Sequence, residues 1–295
     1  MAETEMVDRL PIVRWEEPIE ASLQTRAVAA LESGRVIFLP KLAFVLEPDE
    51  MPFLTSAAAD RTRKNISFDP ATGRCGGTAR TGPDAAGLAT MLQRYAHLST
   101  RLMENLFPPY APFLEPARTS FRPVEVEQRP QSVRHDDRRL HVDAFPTRPM
   151  RGRRILRVFS NVAPDGAVRR WLVGEPFAAF AEKFLPRVRP AVPGSDWVRE
   201  RLGLTKGRRS AYDRIMLGLH DAAKRDERYQ AEAPRTALAF PANSTWIVYT
   251  DQVLHAALAG RFAFEQTFHL PIEAMARPER SPIRVLERLT GQALA

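Results

Sequence analysis

Apolar residues return along this chain with two different periods. From Ala21 to Ser33, and again from Asp84 to Leu106, they recur every three or four positions. In the second run Leu88, Met91, Leu92, Tyr95, Leu98 and Leu102 make one stripe, the pattern of a helix with one face on a core. Gly34 is placed to cap the first helix, and Pro108 and Pro109 stop the second. Pro176 to Leu185 and Tyr212 to Lys224 are predicted helical by the same rule. Alternating or β-branched and aromatic stretches predict strands at Arg35 to Phe44 (interrupted by Pro40), Phe121 to Gln128, Arg139 to Phe145, Ile155 to Val162, Trp246 to Thr250 and Arg261 to Leu270. In the last of these Phe262, Phe264 and Phe268 share a face and His269 points the other way. Strands in the middle and at the end, with helices before and between, predict an α+β fold: a β-barrel or jelly roll packed against helices.

No internal repeat or low-complexity linker divides the 295 residues, so one domain is expected. Its parts are a mostly helical stretch at 1–118, a jelly-roll core at 119–271 with a helical insert at about 176–226, and a tail at 272–295. Residues 186–211 are basic and turn-rich and read as a mobile loop or lid. The lone Cys75 excludes an internal disulfide and suits a reducing, cytoplasmic compartment. Met1 to Asp8 holds three acids and no apolar run, and nothing along the chain is long and apolar enough to span a bilayer. The formal charge of +8 points to anionic partners such as nucleic acid, lipid headgroups or phosphorylated glycans. An aromatic-interleaved basic stretch and a helix-turn-helix signature are both missing, so no nucleic-acid partner is expected.

Two His-x-Asp pairs narrow the chemistry. In a strand such a pair puts imidazole and carboxylate on one face, and a further histidine would complete the two-His, one-carboxylate set that suits non-haem iron(II). His135 and Asp137 lie in the charged run Arg134 to Arg139, which reads as a solvated loop. His141 and Asp143 instead alternate with Leu140, Val142 and Ala144, where buried polar groups need partners. A metal satisfies both, and so does a mutual hydrogen bond. His255 is the candidate third ligand, following one strand and opening the apolar stretch Ala256 to Ala259. His269 competes with it, while His97 and His220 lie on helices and read as surface or satisfied residues.

A 2-oxoglutarate-using oxygenase also needs a cation for the far carboxylate of that acid, usually about ten residues beyond the distal histidine. That region offers Gln266, with Arg261 earlier in the strand. Arg157 lies inside an apolar strand and needs an anion there, either 2-oxoglutarate or a protein carboxylate. Seven arginines fall between positions 134 and 154, among them the candidate substrate-binding residues Arg138, Arg139, Arg148 and Arg154. Smaller clusters are Arg61, Arg63 and Lys64, and Lys206, Arg208 and Arg209. Convergence on one mouth would mean a polyanionic substrate.

The segment Arg138-Arg-Leu-His-Val-Asp-Ala-Phe-Pro-Thr-Arg-Pro149 resembles the Kdo (3-deoxy-D-manno-oct-2-ulosonic acid) hydroxylases of Gram-negative bacteria. The likeness continues through Lys64 to Asp69, Thr119 to Glu127, Arg154 to Val162, Trp171 to Phe177, Tyr212 to Asp221, Trp246 to His255 and Phe264 to Pro271. It thus covers roughly residues 60 to 271. The resemblance implies a double-stranded β-helix (jelly-roll) core with flanking α-helices, iron(II) bound by His141, Asp143 and His255, and 2-oxoglutarate and dioxygen as co-substrates. It also implies Kdo-containing lipid A as substrate, hydroxylated at carbon 3 of Kdo to give Ko (D-glycero-D-talo-oct-2-ulosonic acid). Such a substrate places the enzyme at the inner face of the inner membrane in peripheral contact; the amphipathic tail Ile283 to Leu294 offers a surface for that contact, with an ordinary packed helix as the favoured reading. A related oxygenase acting on a protein or small acid, and a basic nucleic-acid-binding protein, are the alternatives.

Overall fold

A computed structural model describes residues 3–60, 63, 65–127, 131–189, 197 and 200–294. Arg61 and Lys64 of the small basic cluster, Gln128, and residues 190–196, 198 and 199 of the turn-rich segment lie outside the described residues.

The strands are β1 (Val7–Arg9), β2 (Val36–Leu39), β3 (Ile66–Asp69), β4 (Arg74–Gly76), β5 (Glu115–Arg122), β6 (Arg154–Asn161), β7 (Arg169–Gly174), β8 (Arg235–Phe240), β9 (Ser244–Tyr249), β10 (His255–Ala259) and β11 (Ala263–Leu270). Eight form one sheet in the order β1-β2-β9-β6-β11-β5-β3-β4, and β10-β7-β8 form a second. All pairings are antiparallel except β1 with β2. The helices are α1 (Glu3–Met6), α2 (Ala21–Glu32), α3 (Gly82–Leu106), α4 (Phe177–Phe184), α5 (Ala211–Arg225), α6 (Glu227–Glu232) and α7 (Pro282–Thr290).

Every residue of β6, β9 and β11 is buried, because both faces of the large sheet are covered. On one face the stripe of α3 packs through Leu88, Met91, Leu92, Tyr95 and Leu102, with Phe264 lying 4.9 Å from Tyr95 and 5.0 Å from Phe44. Burial of each such side chain stabilises the fold by about 1.5–3 kcal/mol. On the other face the small sheet closes over Phe159, Trp246 and Val248 with Trp171, Val173 and Leu238. The Trp246 ring stacks 4.1 Å from that of Phe240. Side-chain alternation then decides what lies between the sheets: Arg157 shares the face of Phe159, and Glu265, Thr267 and His269 share the equivalent face of β11.

The pattern-based expectations hold for α2, α3, α4, α5, β2, β6, β9 and β11 within a few residues at either end. Other expectations need correction. The strand expected at Phe121 to Gln128 instead runs Glu115–Arg122 and ends where Pro123 cannot donate to the ladder. Arg139 to Phe145 is not a strand; only one bridge forms, His141 with His255. The first 118 residues are not mostly helical, since β1 to β4 extend the large sheet at both edges. These strands have three or four residues each, too few for alternation to show. The tail helix α7 starts with Pro282 at its first turn and closes at Gly291 (φ 68°). It buries Ile283, Val285 and Leu286 in the main core, which is the ordinary packed helix favoured for this tail, so its apolar face is not free to meet a membrane.

Candidate metal centre

The bridge that replaces the expected strand does the positioning. His141 N–H donates to the His255 carbonyl at 3.1 Å, and His255 N–H donates to the His141 carbonyl at 2.9 Å, making the two histidines cross-strand neighbours. Two residues on, Asp143 N–H donates to the Thr250 carbonyl at 2.8 Å, which holds its carboxylate on the same side. One donor atom from each of His141, Asp143 and His255 lies within 4.8 Å of the other two. His141 Nε2 stands 3.8 Å from Asp143 Oδ1.

Both rings are oriented by their other nitrogen. His141 Nδ1 donates to the Arg139 carbonyl at 2.7 Å, and His255 Nδ1 donates to the Val253 carbonyl at 2.9 Å. A carbonyl accepts only from a protonated Nδ1, so each Nε2 keeps its lone pair for a ligand. Trp171 stacks on His255 at 5.1 Å, and His220 meets His141 edge-on at 5.4 Å. Burial pushes the pKa of both bridge histidines down, that of His141 well below the ordinary value, with His255 and Lys224 adding to the effect. Neutral imidazoles are the form that binds metal. Burial alone would raise the Asp143 pKa, but Arg157 and the two histidines outweigh it and hold the carboxyl far below the usual carboxylate range.

Asp143 ends a row of alternating charge. Arg157 Nη2 is 3.0 Å from Asp143 Oδ2 and its Nη1 is 3.0 Å from Glu265 Oε1. Arg122 Nε donates to Glu265 Oε2 at 3.1 Å, with Nη2 on the same oxygen, while Arg122 Nη1 is 3.6 Å from Asp137 Oδ2. The Arg157–Asp143 contact has ion-pair distance but no well-aimed N–H, and it leaves Asp143 Oδ2 buried without a hydrogen bond. A buried oxygen with an unused lone pair, two free Nε2 atoms and an ionised carboxylate fit a divalent transition metal, and the two-His, one-carboxylate set fits iron(II).

Beside the triad lies a cavity of about 390 Å³. Arg157, Arg122 and Glu265 line it, and so do Arg118, Arg148 and Lys206. Arg148 and Arg157 are therefore brought to the site. Other candidates are not. Gln266 faces away from the cavity, accepting from Thr119 Oγ1 at 2.5 Å and donating to the Ala117 and Thr267 carbonyls. Its place on β11 puts it among the phenylalanines, on the α3 side. Arg261 is half exposed and pairs with Asp165 at 2.8 Å. Arg154 is fully buried against Asp251, Gln252 and the Tyr249 ring, a structural ion pair closed to any substrate. Arg138 pairs with its neighbour Asp136 and Arg139 with Glu227, neither lining the cavity. His135 is exposed and bonds to Ser132, as its charged surroundings suggested.

Trp171, Arg118, Arg122 and Glu265 were not singled out in the sequence reading, and His220, read there as a surface or satisfied residue, stands against His141. The rule that singled out Arg157, a charge inside an apolar strand, also selects Glu265. His220 carried a weaker signal, apolar neighbours at Leu217 and Leu219 on an otherwise charged helix.

His269 lies two residues beyond Thr267 on the cavity side, and burial, with Arg153 and Arg148 nearby, pushes its pKa down to about 4. An unfolded chain binds that proton near pH 6.5, so between those values the unfolded state carries more protons. Stability contributed by the neutral ring is therefore full above about pH 6.5 and is lost as the pH falls toward 4. His269→Gln is expected to flatten this part of a urea-midpoint-against-pH curve; a decline parallel to the parent's would contradict the assignment.

Comparison with known proteins yields one family. Residues 14–293 match the family described as 3-deoxy-D-manno-oct-2-ulosonic acid (Kdo) hydroxylase. Among solved structures, a Kdo hydroxylase described as a non-haem Fe(II) α-ketoglutarate-dependent dioxygenase, in complex with α-ketoglutarate (2-oxoglutarate) and Fe(III), is 45% identical. The match covers 98% of this chain and 97% of that one, with a TM-score of 0.95. Structures of a Kdo hydroxylase with cobalt(II), and with succinate and Fe(III), match at the same identity and coverage, with TM-scores of 0.95 and 0.94. No curated protein matches.

Proposed function

The chain belongs to the Kdo hydroxylase family, and we propose that it hydroxylates carbon 3 of Kdo carried on lipid A, giving Ko. It is an iron(II)- and 2-oxoglutarate-dependent dioxygenase with a jelly-roll core. The family's own substrate name supports the carbon: a 3-deoxy sugar has a methylene there, and a hydroxylase supplies the missing oxygen. Overall, substrate, 2-oxoglutarate and dioxygen become hydroxylated product, succinate and carbon dioxide. The observation that carries the reading is the convergence of two Nε2 atoms and one carboxylate beside a cavity rich in guanidinium groups.

We assign the metal to His141, Asp143 and His255. When bound, iron(II) supplies the activation of dioxygen. The chain supplies position. The carbonyls of Arg139 and Val253 fix the rings, and Arg157 steadies Asp143 in its ionised form. Arg157, with Arg122 beside it, is the cation we assign to the far carboxylate of 2-oxoglutarate. Their guanidinium groups come from β6 and β5, flanking β11, whose own residue ten beyond His255 is Glu265. Loss of a charge-assisted hydrogen bond costs about 1.5–3 kcal/mol. Arg157→Gln should thus raise the KM for 2-oxoglutarate by roughly 10- to 100-fold, and Arg261→Gln by less than about twofold, since an exposed pair matters little. Equal effects would move the anchor elsewhere.

No helix among the described residues is long and apolar enough to cross a membrane. We place the enzyme on the cytoplasmic face of the inner membrane in peripheral contact. Three large apolar side chains, Trp197 (56% exposed), Leu202 (67%) and Leu204 (57%), precede the cavity residue Lys206 and stand beside Arg201 and Arg208. Exposed apolar side chains interleaved with cations along one segment suit an anionic bilayer surface. The triple change Trp197→Ser, Leu202→Ser, Leu204→Ser should reduce co-sedimentation with phosphatidylglycerol vesicles several-fold; unchanged binding would remove this patch from the account.

The enzymatic test is 2-oxoglutarate consumption by the anaerobically iron-loaded protein after addition of oxygen. Turnover is expected to need Kdo-lipid A. Equal stimulation by a small acid or a peptide would favour the alternative oxygenase reading.

A further inference from the structure

The cavity's cations divide into two groups by what neutralises them. Toward one end Arg122 and Arg157 are already paired, with Asp137, Glu265 and Asp143 threaded between them. Toward the other end stand Arg118, Arg148 and Lys206, and among the described residues none of these three has a carboxylate partner. The strand register fixes this order. On β5, Arg118 precedes Arg122 by four residues across a register shift against β11, and both side chains line the cavity. On β11, His269 lies four residues beyond Glu265, and Thr267 pairs with Arg157 between them. The centre that Arg157 adjoins, through Asp143, therefore lies at the self-neutralised end, with the uncompensated cations farther along the cavity.

The uncompensated end is built from separate pieces of chain held in place. Lys206 N–H donates to the Thr147 carbonyl at 2.8 Å, which ties its loop to the one carrying Arg148. Gly207 follows with φ +119°, a conformation that L side chains rarely adopt, and a Cβ there would meet Arg151 Nη2 at 3.3 Å. Asp213 accepts from the N–H groups of Met150 (2.7 Å) and Arg151 (3.0 Å), anchoring the same loop to α5. His269 adds to this end a ring kept neutral beside the cations. Arg118 and Lys206 are exposed and Arg148 is partly exposed, so this end of the cavity opens to solvent, and an oxyanion entering there meets three cations that no described carboxylate neutralises.

We infer that Arg118, Arg148 and Lys206 form an acceptor-anion subsite. It grips a carboxylate or phosphate of the sugar acceptor, opposite the 2-oxoglutarate end, and so aligns the acceptor on the metal centre. The inference rests on the proposed function and adds residues and a selectivity to it. The two oxyanion sources are the acid group of Kdo itself and a phosphate elsewhere on the glycolipid.

The test measures acceptor binding by titration calorimetry, under nitrogen, on the iron(II)–2-oxoglutarate enzyme, and steady-state KM in air. The variants are Arg118→Gln, Arg148→Gln and Lys206→Gln. The acceptors are deacylated Kdo-lipid A with its phosphates, the same compound after dephosphorylation, and free Kdo. Each variant is expected to weaken binding of the phosphorylated acceptor about tenfold and raise its KM in step, with the KM for 2-oxoglutarate within about twofold of the parent. A defect that disappears on dephosphorylation assigns the subsite to phosphate; one that persists, also with free Kdo, assigns it to the sugar carboxylate. Unchanged acceptor binding in all three variants, or a parallel rise in the KM for 2-oxoglutarate, overturns the subsite while the hydroxylase reading stands. A parent enzyme that binds and oxidises no Kdo acceptor would instead overturn the proposed function, and the subsite with it.

Discussion

Asp143→Ala is expected to abolish iron(II) binding in anaerobic equilibrium dialysis and to lower Kdo hydroxylation by at least ~1000-fold, about 4 kcal/mol of transition-state stabilisation. Asp143 is the only anionic member of the three-residue set, and Arg157 holds it ionised. The fold should survive the change. Arg157 still faces Glu265 at 3.0 Å and Arg122 still pairs with both Glu265 and Asp137, so no arginine is left buried alone. The thermal midpoint of the metal-free protein should therefore move little. His141→Ala and His255→Ala should behave alike, while His135→Ala, in the exposed His-x-Asp pair, should leave activity within about twofold of the parent. Retention of iron and activity by Asp143→Ala would remove the carboxylate from the centre.

Arg154→Ala should be the most damaging change away from the centre. Arg154 is fully buried; its Nε lies 2.7 Å from Asp251 Oδ2, its Nη2 donates to Gln252 at 2.7 Å, and its guanidinium stacks 3.7 Å from the Tyr249 ring. Removing one member leaves Asp251 charged and buried, a loss of about 3–5 kcal/mol. Burial already raises the Asp251 pKa, and without Arg154 that rise grows. A carboxyl whose folded pKa lies above its unfolded value loses stability as the pH rises through that interval, so the deficit of the variant should narrow on acidification toward pH 4. Adding Asp251→Asn should recover part of the loss at neutral pH. Urea unfolding checks both points, and a loss below about 1 kcal/mol would show the pair to be dispensable.

The same two residues show what sequence can and cannot convey. Arg154 and Arg157 are three positions apart in one apolar strand, and both announce a buried charge. Only register and pleat decide that Arg157 faces the inter-sheet cavity while Arg154 faces the helical side. The metal set was legible because alternation places His141 and Asp143 on one side even though the expected strand reduces to a single bridge. Long elements with many apolar turns, such as α3 and β11, declared themselves. The short N-terminal strands and the small sheet did not, because their burial comes from partners distant in sequence: Arg169 and Arg170 of β7 pair with Phe240 and Ala239 of β8. The 2-oxoglutarate end was half legible. Arg157 stood out, but the place expected to hold a cation carries Glu265, and Arg122 reaches it from an adjacent strand. Gln266, one position further, was misread for want of the face it occupies.

The most direct measurement is mass spectrometry of Kdo-lipid A incubated with the iron-loaded enzyme and 2-oxoglutarate under ordinary oxygen and under oxygen-18. The account predicts a gain of one oxygen atom on the Kdo residue, carrying the heavy isotope in the second experiment, with succinate formed in equal amount. An unchanged acceptor mass beside continued succinate formation, or a gain located on the lipid A portion, would contradict it.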